Sequence, residues 1–504
     1  MTNPLFDALL KPHLGHDAVL LQMPDGTTCT HRDMLVMSAQ IANALSVLGA
    51  RPGDRVAVQV AKSPQALAIY FACIQAGLVL LPLNPDYTIA ELNYFIADAT
   101  PALLISDPSS TAELVKVAEQ HGVALSTLDG QGQGAFRDLV LQQPETYMVV
   151  DRKNEDLAAI LYTSGTTGRP KGAMLSHGNL LSNAQALVVA WRFSADDVLL
   201  HALPIFHTHG LFVAVNVTLL AGGAMVFLPR FDLDEVLAVM PECTTMMGVP
   251  TFYTRLLARD DFVADLTAHM RLFVSGSAPL LAETHAAFEQ CTGQVILERY
   301  GMTETSMITS NPYGGVRRAG TVGQALDGVE VIITDPKTGE PLETGKIGMV
   351  QVRGPNVFRG YWNMPKKTAE ELQENGFFIT GDLGCFSEDG YLEIVGRSKD
   401  LIISGGFNIY PKEVEVAIDL LDGVSESAVI GIPHPDLGEA TVAIIVKSEN
   451  ADINEAIVLN KLNSSLAVYK HPRNVYFLAK LPRNAMGKVQ KNMLRESLPR
   501  FVGK

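Results

Sequence analysis

Positive charge is in short supply in this chain: 39 Lys and Arg stand against 54 Asp and Glu, a formal net charge of −15. That balance argues against an extended nucleic-acid footprint or an anionic membrane partner, although a local basic pocket for one phosphate group survives it. The five cysteines, Cys29, Cys73, Cys243, Cys291 and Cys385, are widely scattered and form no C-x-x-C pair. They read as reduced structural thiols rather than a disulfide framework. No apolar run is long enough to span a bilayer, and the segment Met1-Thr-Asn-Pro-Leu-Phe-Asp7 has no basic stretch leading into an apolar core, so a cytoplasmic protein is expected. Internal repeats and low-complexity segments are also lacking. What remains is 504 residues, 47% hydrophobic and 18% charged. That composition fits a globular enzyme with one large part and at least one smaller part.

Strand and helix signals alternate through the first half. Asp54-Arg-Val-Ala-Val-Gln-Val60 reads as a strand. Ser63-Pro64 then opens a helix, with serine as cap and proline in the first turn, carrying Leu67, Tyr70, Phe71 and Ile74 until Gly77 stops it. Leu78–Pro82 and Leu103–Ser106 read as short buried strands with a helix-compatible stretch between them. The alternation predicts an α/β fold with doubly wound sheets in a large N-terminal part. From about residue 320 the pattern changes to short alternating runs broken by glycines, Val329–Ile333, Gly348–Val352 and Tyr391–Val395, which predicts a small β subdomain. The charged run Gly396-Arg-Ser-Lys-Asp400 has little to bury and reads as a hinge. The expected division is therefore a large part over 1–397, with its β subdomain at about 320–397, and a small α+β C-terminal domain over 398–504.

Several loops carry chemistry. Tyr162-Thr-Ser-Gly-Thr-Thr-Gly-Arg-Pro-Lys-Gly172 follows the apolar run Leu157–Leu161, which reads as a buried parallel strand. Its glycines let backbone N–H groups, hydroxyls and Lys171 converge on phosphate oxygens. The spacing is not that of the Walker loop, because no Ser or Thr follows the lysine. A plain Ser/Thr/Gly turn uses the same residues. Ser176 should cap a helix running through about Val188. The stretch His201-Ala-Leu-Pro-Ile-Phe-His-Thr-His-Gly210 holds three histidines but no completing cysteine or carboxylate pattern, so it reads as a packed loop lining a cavity rather than a zinc site. The strand Leu272–Ser275 leads into Gly276-Ser-Ala-Pro279, with Pro279 near the start of a helix through about Cys291. The strand Val295–Leu297 leads into Glu298-Arg-Tyr-Gly-Met-Thr-Glu304. In an open α/β sheet, loops at the carboxyl ends of strands line the ligand crevice.

Taken in order, Y-T-S-G-T-T-G-R-P-K-G, E-R-Y-G-M-T-E, T-G-D at 380–382, G-R-S-K-D and P-R-N-A-M-G-K-V near the C-terminus resemble the signature series of the acyl- and aryl-CoA synthetases of the adenylate-forming superfamily. The resemblance covers nearly the whole chain and is greatest for malonyl-CoA synthetases. It implies activation of a carboxylic acid by ATP to an acyl-adenylate, with pyrophosphate released, then displacement of AMP by coenzyme A. By the same resemblance Thr163, Ser164, Gly165, Thr166, Thr167 and Lys171 would hold the pyrophosphate end of ATP, Thr303 the α-phosphate, and Glu304 a magnesium ion. Gly276, Ser277, Ala278 and Tyr300 would enclose adenine, and Asp382 and Arg397 would hold the ribose. Lys488 would act on both the carboxylate and the α-phosphate in adenylation. Lys399 would be the pivot about which a mobile C-terminal domain turns, bringing Gly405, Gly406 and Phe407 to the pantetheine. Neutralising Lys488 would remove the charge that adenylation needs, so a lysine acyltransferase and a deacylase are expected as partners.

Arg299 departs from what an apolar acid requires. A guanidinium beside the Tyr300-Gly301 turn is costly to bury unpaired, and a second carboxylate on the substrate would pair it bidentately. An internal ion pair with Glu298 or another acid is the plainer alternative. Malonate is the expected substrate, with methylmalonate next and His207, Thr208 and Met302 as pocket neighbours. A CoA ligase for another short-chain or aryl acid, or a silent nucleotide-binding regulator, are the competing readings.

Overall fold

The computed structural model describes residues 2–163, 170–404, 407–434, 437–449, 451–463, 466–484 and 487–498. Backbone contacts divide the chain into two compact units, Met1–Val331 with Val352–Phe378, and Ile332–Gln351 with Ile379–Lys504.

The first unit holds two large sheets. One runs Ala124–Thr127, Leu103–Ser106, Arg55–Gln59, Val79–Pro82, Leu157–Thr163, Lys171–Ser176 across its width. All neighbours are parallel except the last pair, an antiparallel hairpin that ends with Thr163 opposite Lys171. The expectation of a parallel strand at Leu157–Leu161 is thus right on one side and wrong on the other. Gly172 explains the close pairing, because a Cβ there would press on Ile160 at 2.9 Å. The helix Pro64–Ala76 has the predicted ends: Ser63 Oγ accepts from the Ala66 N–H, and Gly77 closes it at φ +61°. The helix His177–Trp191 is capped by Ser176 through a reciprocal box with Asn179.

The second sheet of this unit places Leu297–Met302, Leu272–Ser275, Thr245–Gly248, Val198–His201, Ala224–Phe227 and Val19–Gln22 side by side and parallel, with antiparallel strands at both edges. Their carboxyl ends lie along one edge, which gathers the segments after His201, Ser275 and Met302. Two expectations need correction. The Glu298-Arg-Tyr-Gly-Met motif is itself strand, because it pairs antiparallel with Ser306–Ser310 across an irregularity at Tyr300/Gly301. The helix after Pro279 starts later, at Ala282.

The second unit carries the short sheet with Phe378–Phe386 and Leu392–Arg397 and a five-stranded sheet built on Val424–His434 and Gly438–Lys447. The period of two along a strand sorts its residues: Val429, Ala443 and Ile445 pack on one face with Val414 and Ile418. Ala428, Ile430, Val442 and Ile444 pack on the other with Leu494 and Leu498. No helix among the described residues is long and apolar enough to cross a membrane.

Candidate active site

In the first unit two of the predicted acid-binding residues, Arg299 and His207, lie close enough for the charge on one to act on the other. Arg299 is 3% exposed, and its Nε and Nη2 have no hydrogen-bond partner. Glu298 does not serve it, because successive residues of the strand Leu297–Met302 face opposite ways. Burial alone drives the Arg299 pKa down to about 9. The guanidinium lies against Gly276, whose missing side chain makes the room: a Cβ there would stand 2.4 Å from Arg299 Cζ. Ser277, next in the turn, takes φ +70°, a conformation that costs a non-glycine residue energy and that gathers at ligand sites.

The histidine stretch brings His207 and His209 within the field of Arg299. His201 Nε2–H donates to the Gly210 carbonyl at 2.8 Å, and its Nδ1 meets Lys62 Nζ at 2.7 Å, so this imidazole is spent on structure. His207 accepts the His209 backbone N–H on Nδ1 at 3.3 Å, and burial, then the Arg299 charge, pushes its pKa down to about 4. His209 Nδ1 pairs with Ser277 Oγ at 3.2 Å, while its Nε2 and the Thr208 hydroxyl are buried without partners. Burial, followed by the charge on Arg299, holds His209 neutral. Unpartnered donors on Arg299, Thr208 and His209 suit a compact anion with several acceptor oxygens. Sequence reasoning singled out His207 and missed His209, whose signal was only its place two residues on. Met302 closes its strand opposite Ser306 and, like Tyr300 and Ala278, is half-buried.

A second cluster surrounds Lys171, which is 7% exposed. Its Nζ lies 3.2 Å from Glu371 Oε2 and 3.0 Å from Tyr361 Oη, and 4.1 Å from the centre of the Tyr361 ring. Tyr361 Oη is also 2.9 Å from Glu304 Oε1 and 2.6 Å from Glu371 Oε2. Thr303 and Glu304 occupy the turn after Met302, and Glu304 is 4% exposed. Burial works against charge on Glu371, but Tyr361, Lys367 and Lys171 hold its carboxyl below the ordinary range. A buried carboxylate such as Glu304 suits a hard divalent cation, and the Lys171 ammonium nearby suits the phosphates that such a cation accompanies. Tyr361 and Glu371 were invisible to sequence reasoning, since nothing local distinguishes them. Thr163 ends its strand at the hairpin. Ser164, Gly165, Thr166 and Thr167 lie outside the described residues.

In the second unit Asp382 and Arg397 are directly opposite in adjacent strands and form an ion pair of 2.7 Å. Lys488 is bonded twice to Asn484: its N–H donates to Asn484 Oδ1 at 2.9 Å and its carbonyl accepts from the Asn484 N–H at 3.0 Å; Gly487 has φ +74°. The residue as a whole is exposed, yet its ammonium stands in a crowded field. Desolvation, then repulsion from Arg397 and Lys399 against attraction from Asp382 and Asp400, brings its pKa down to about 8. Lys399, in the turn Ser398–Asp400, is lowered as well, first by burial. Phe407 is 55% exposed with its ring 4.7 Å from that of Tyr469. Gly405 and Gly406 lie outside the described residues. Among the described residues no group of three or more His, Cys, Asp or Glu is placed to hold a metal ion.

Comparison with known proteins places this geometry. The family model described as AMP-binding enzyme matches residues 10–362, and that of the AMP-binding enzyme C-terminal domain matches 413–488. The crystal structure of ATP-bound MatB from Rhodopseudomonas palustris is 52% identical with a TM-score of 0.97, covering 99% of this chain and 100% of that one. The malonate–CoA ligase of Arabidopsis thaliana is 35% identical over 89% of this chain and 79% of its own length. A feruloyl-CoA synthase from an Amycolatopsis species is 35% identical over 93% of this chain and 94% of its own. With a family model matching well over half its length and relatives of this identity and coverage, the chain belongs to the AMP-binding enzymes.

Proposed function

We propose that the enzyme ligates malonate to coenzyme A at the expense of ATP, through a malonyl-adenylate, releasing pyrophosphate and then AMP. The observation that carries malonate is the buried Arg299 guanidinium, whose Nε and Nη2 have no partner and whose charge is felt by His207 and His209. The far carboxylate of malonate satisfies it, whereas the ring of an aryl acid leaves the charge buried and unpaired. Similarity to the malonate–CoA ligases supports the same reading. Methylmalonate has the same two carboxylates and is the nearest alternative substrate.

The residue roles follow from charge. A carboxylate is a poor acyl electrophile, and joining one oxygen to the α-phosphate of ATP turns it into a good leaving group. Negative charge gathers on that phosphate in the transition state, so donors fixed there lower the barrier. Lys488 and Thr303 supply them, while Thr163, Ser164, Gly165, Thr166, Thr167 and Lys171 hold the departing pyrophosphate. Glu304 would offer magnesium one carboxylate, with the phosphates of ATP and water as its other ligands, and the ion would neutralise phosphate charge. Gly276, Ser277, Ala278 and Tyr300 take the adenine, with the Ser277 turn bringing backbone close to the base. Asp382, held by Arg397, accepts the ribose hydroxyls. Lys399 serves as hinge between the half-reactions, in a small C-terminal domain beginning near residue 398, and Gly405, Gly406 and Phe407 take the pantetheine in the second. Acylation of Lys488 by a lysine acyltransferase, reversed by a deacylase, switches adenylation off. We place the enzyme in the cytoplasm.

The test is pyrophosphate release measured over malonate, methylmalonate, acetate, hexanoate, benzoate and ferulate. Malonate or methylmalonate should give the highest kcat/KM by a wide margin. A monocarboxylate at the top would overturn the assignment, and ATP binding without pyrophosphate release for any acid would indicate a nucleotide-binding regulator.

A further inference from the structure

The ion pair between Lys171 and Glu371 has a use beyond holding the fold. Lys171 Nζ sits 3.3 Å and 3.2 Å from the two Glu371 oxygens. Among the described residues Tyr361 and Glu371 are its only hydrogen-bond partners. Glu371 is better supplied: Lys367 Nζ approaches at 3.0 Å, one turn away on the same helix Pro365–Glu371, and Tyr361 Oη lies at 2.6 Å. The pair is therefore asymmetric. If Lys171 turns away, Glu371 keeps a cation and a hydroxyl donor, whereas a nearly buried Lys171 must find another anion.

We infer that Glu371 is a positioning residue that holds the Lys171 ammonium until the polyphosphate of ATP exchanges for it, with the Tyr361 hydroxyl as the shared contact between Glu371 and Glu304. This rests on the reading of Lys171 as a phosphate ligand. No bond forms or breaks in the exchange; one anion replaces another at Nζ. Tyr361 makes it orderly. Its ring lies under the ammonium and its oxygen accepts from Nζ, so the cation pivots over a surface that attracts it in either position. Tyr361 itself is 2% exposed, and its backbone N–H donates to Thr368 Oγ1 at 2.9 Å on the helix that carries Glu371. The distance between the pivot and the carboxylate is thereby held by one short helix.

The test compares the parent enzyme with Glu371→Gln, Glu371→Asp, Lys171→Ala and the Lys171→Ala/Glu371→Gln double variant. Equilibrium ATP binding by calorimetry, melting temperature with and without ATP, and KM for ATP against kcat for adenylation are measured on each. Relieved of the competing carboxylate, Glu371→Gln should bind ATP about 3- to 30-fold more tightly, the range expected for a partly buried charge pair. It should melt lower than the parent without ATP but regain the difference with it, and lower KM more than it changes kcat. Glu371→Asp, which keeps the charge, should stay near the parent value. The double variant should bind ATP like Lys171→Ala. Unchanged or weaker ATP binding by Glu371→Gln, with Lys171→Ala weakened, overturns the role of Glu371 alone. Unchanged binding by Lys171→Ala overturns the phosphate role of Lys171 and this inference with it.

Discussion

The Arg299 guanidinium and Gly276 touch so closely that a side chain at 276 has no room: a Cβ would lie 2.4 Å from Cζ, 2.5 Å from Nε and 2.7 Å from Nη1. Gly276 shows no left-handed φ; it is required by what it faces, not by its own backbone. The strand end that carries the glycine and the neighbouring strand that carries the arginine are paired in register, Ser275 opposite Glu298.

Gly276→Ala should therefore displace the guanidinium rather than unfold the sheet. We expect kcat/KM for malonate to fall by about a hundredfold or more, as a misplacement of about 1 Å at a reacting group commonly costs, while the melting temperature changes little. Steady-state kinetics beside a thermal melt checks this, and a variant with parental kinetics would show that the contact does not set the position of Arg299.

Arg299→Met should move stability and activity in opposite directions. The folded chain buries a charge with unpaired N–H groups, so an apolar side chain of similar length should leave the substrate-free protein as stable or more stable, by up to about 1–4 kcal/mol. Malonate turnover should drop by roughly two or more orders of magnitude, since losing one partner of a buried charge pair costs about 2–5 kcal/mol. Chemical denaturation and pyrophosphate release on the same preparation separate the two. A loss of stability would mean that Arg299 has a structural role that its surroundings do not reveal.

Lys488 gives adenylation a pH dependence. Its pKa is about 8 rather than the ordinary lysine value, and the proposed role needs the charged form. kcat/KM for ATP in the adenylation half-reaction, which reports the free enzyme, should be full below that pH and fall as pH rises through about 8. Lys488→Arg, which stays charged, should lose rate overall but show no such fall. A wild-type profile flat to about pH 10, close to the ordinary lysine range, would be the contrary result.

Ser63→Ala tests the fold apart from the site. The serine hydroxyl accepts from the Ala66 N–H at 3.2 Å and is 4% exposed, so no water replaces it easily. Loss of this cap should cost about 0.5–2 kcal/mol, read as an earlier denaturation midpoint with malonate kinetics unchanged. An unaltered midpoint would show that the buried, mainly apolar face of this helix carries its stability without the cap.

The strands Leu103–Ser106 and Leu272–Ser275 and the helix from Ser63 to Gly77 were legible because their causes are local. Caps, prolines, glycines and apolar spacing act over a few residues and can be read in order. The chemistry was legible in part for the same reason: Arg299 announces a buried charge wherever a strand meets a polar turn, and a Gly-rich hydroxyl loop announces phosphate. Pairing is not local. Whether Glu298-Arg-Tyr-Gly-Met is loop or strand depends on Ser306–Ser310 folding back beside it, and the hairpin that sets Lys171 opposite Thr163 depends on register. The order of residues supplies the groups that can bind an anion, a phosphate and a hard cation. Which of them meet is set by the folded chain, which brings Tyr361 and Glu371 to Lys171 across separations of 190 and 200 residues and Gly276 against Arg299. Contacts at such distances are chosen by the packing of whole sheets and not by any preference of the residues that make them.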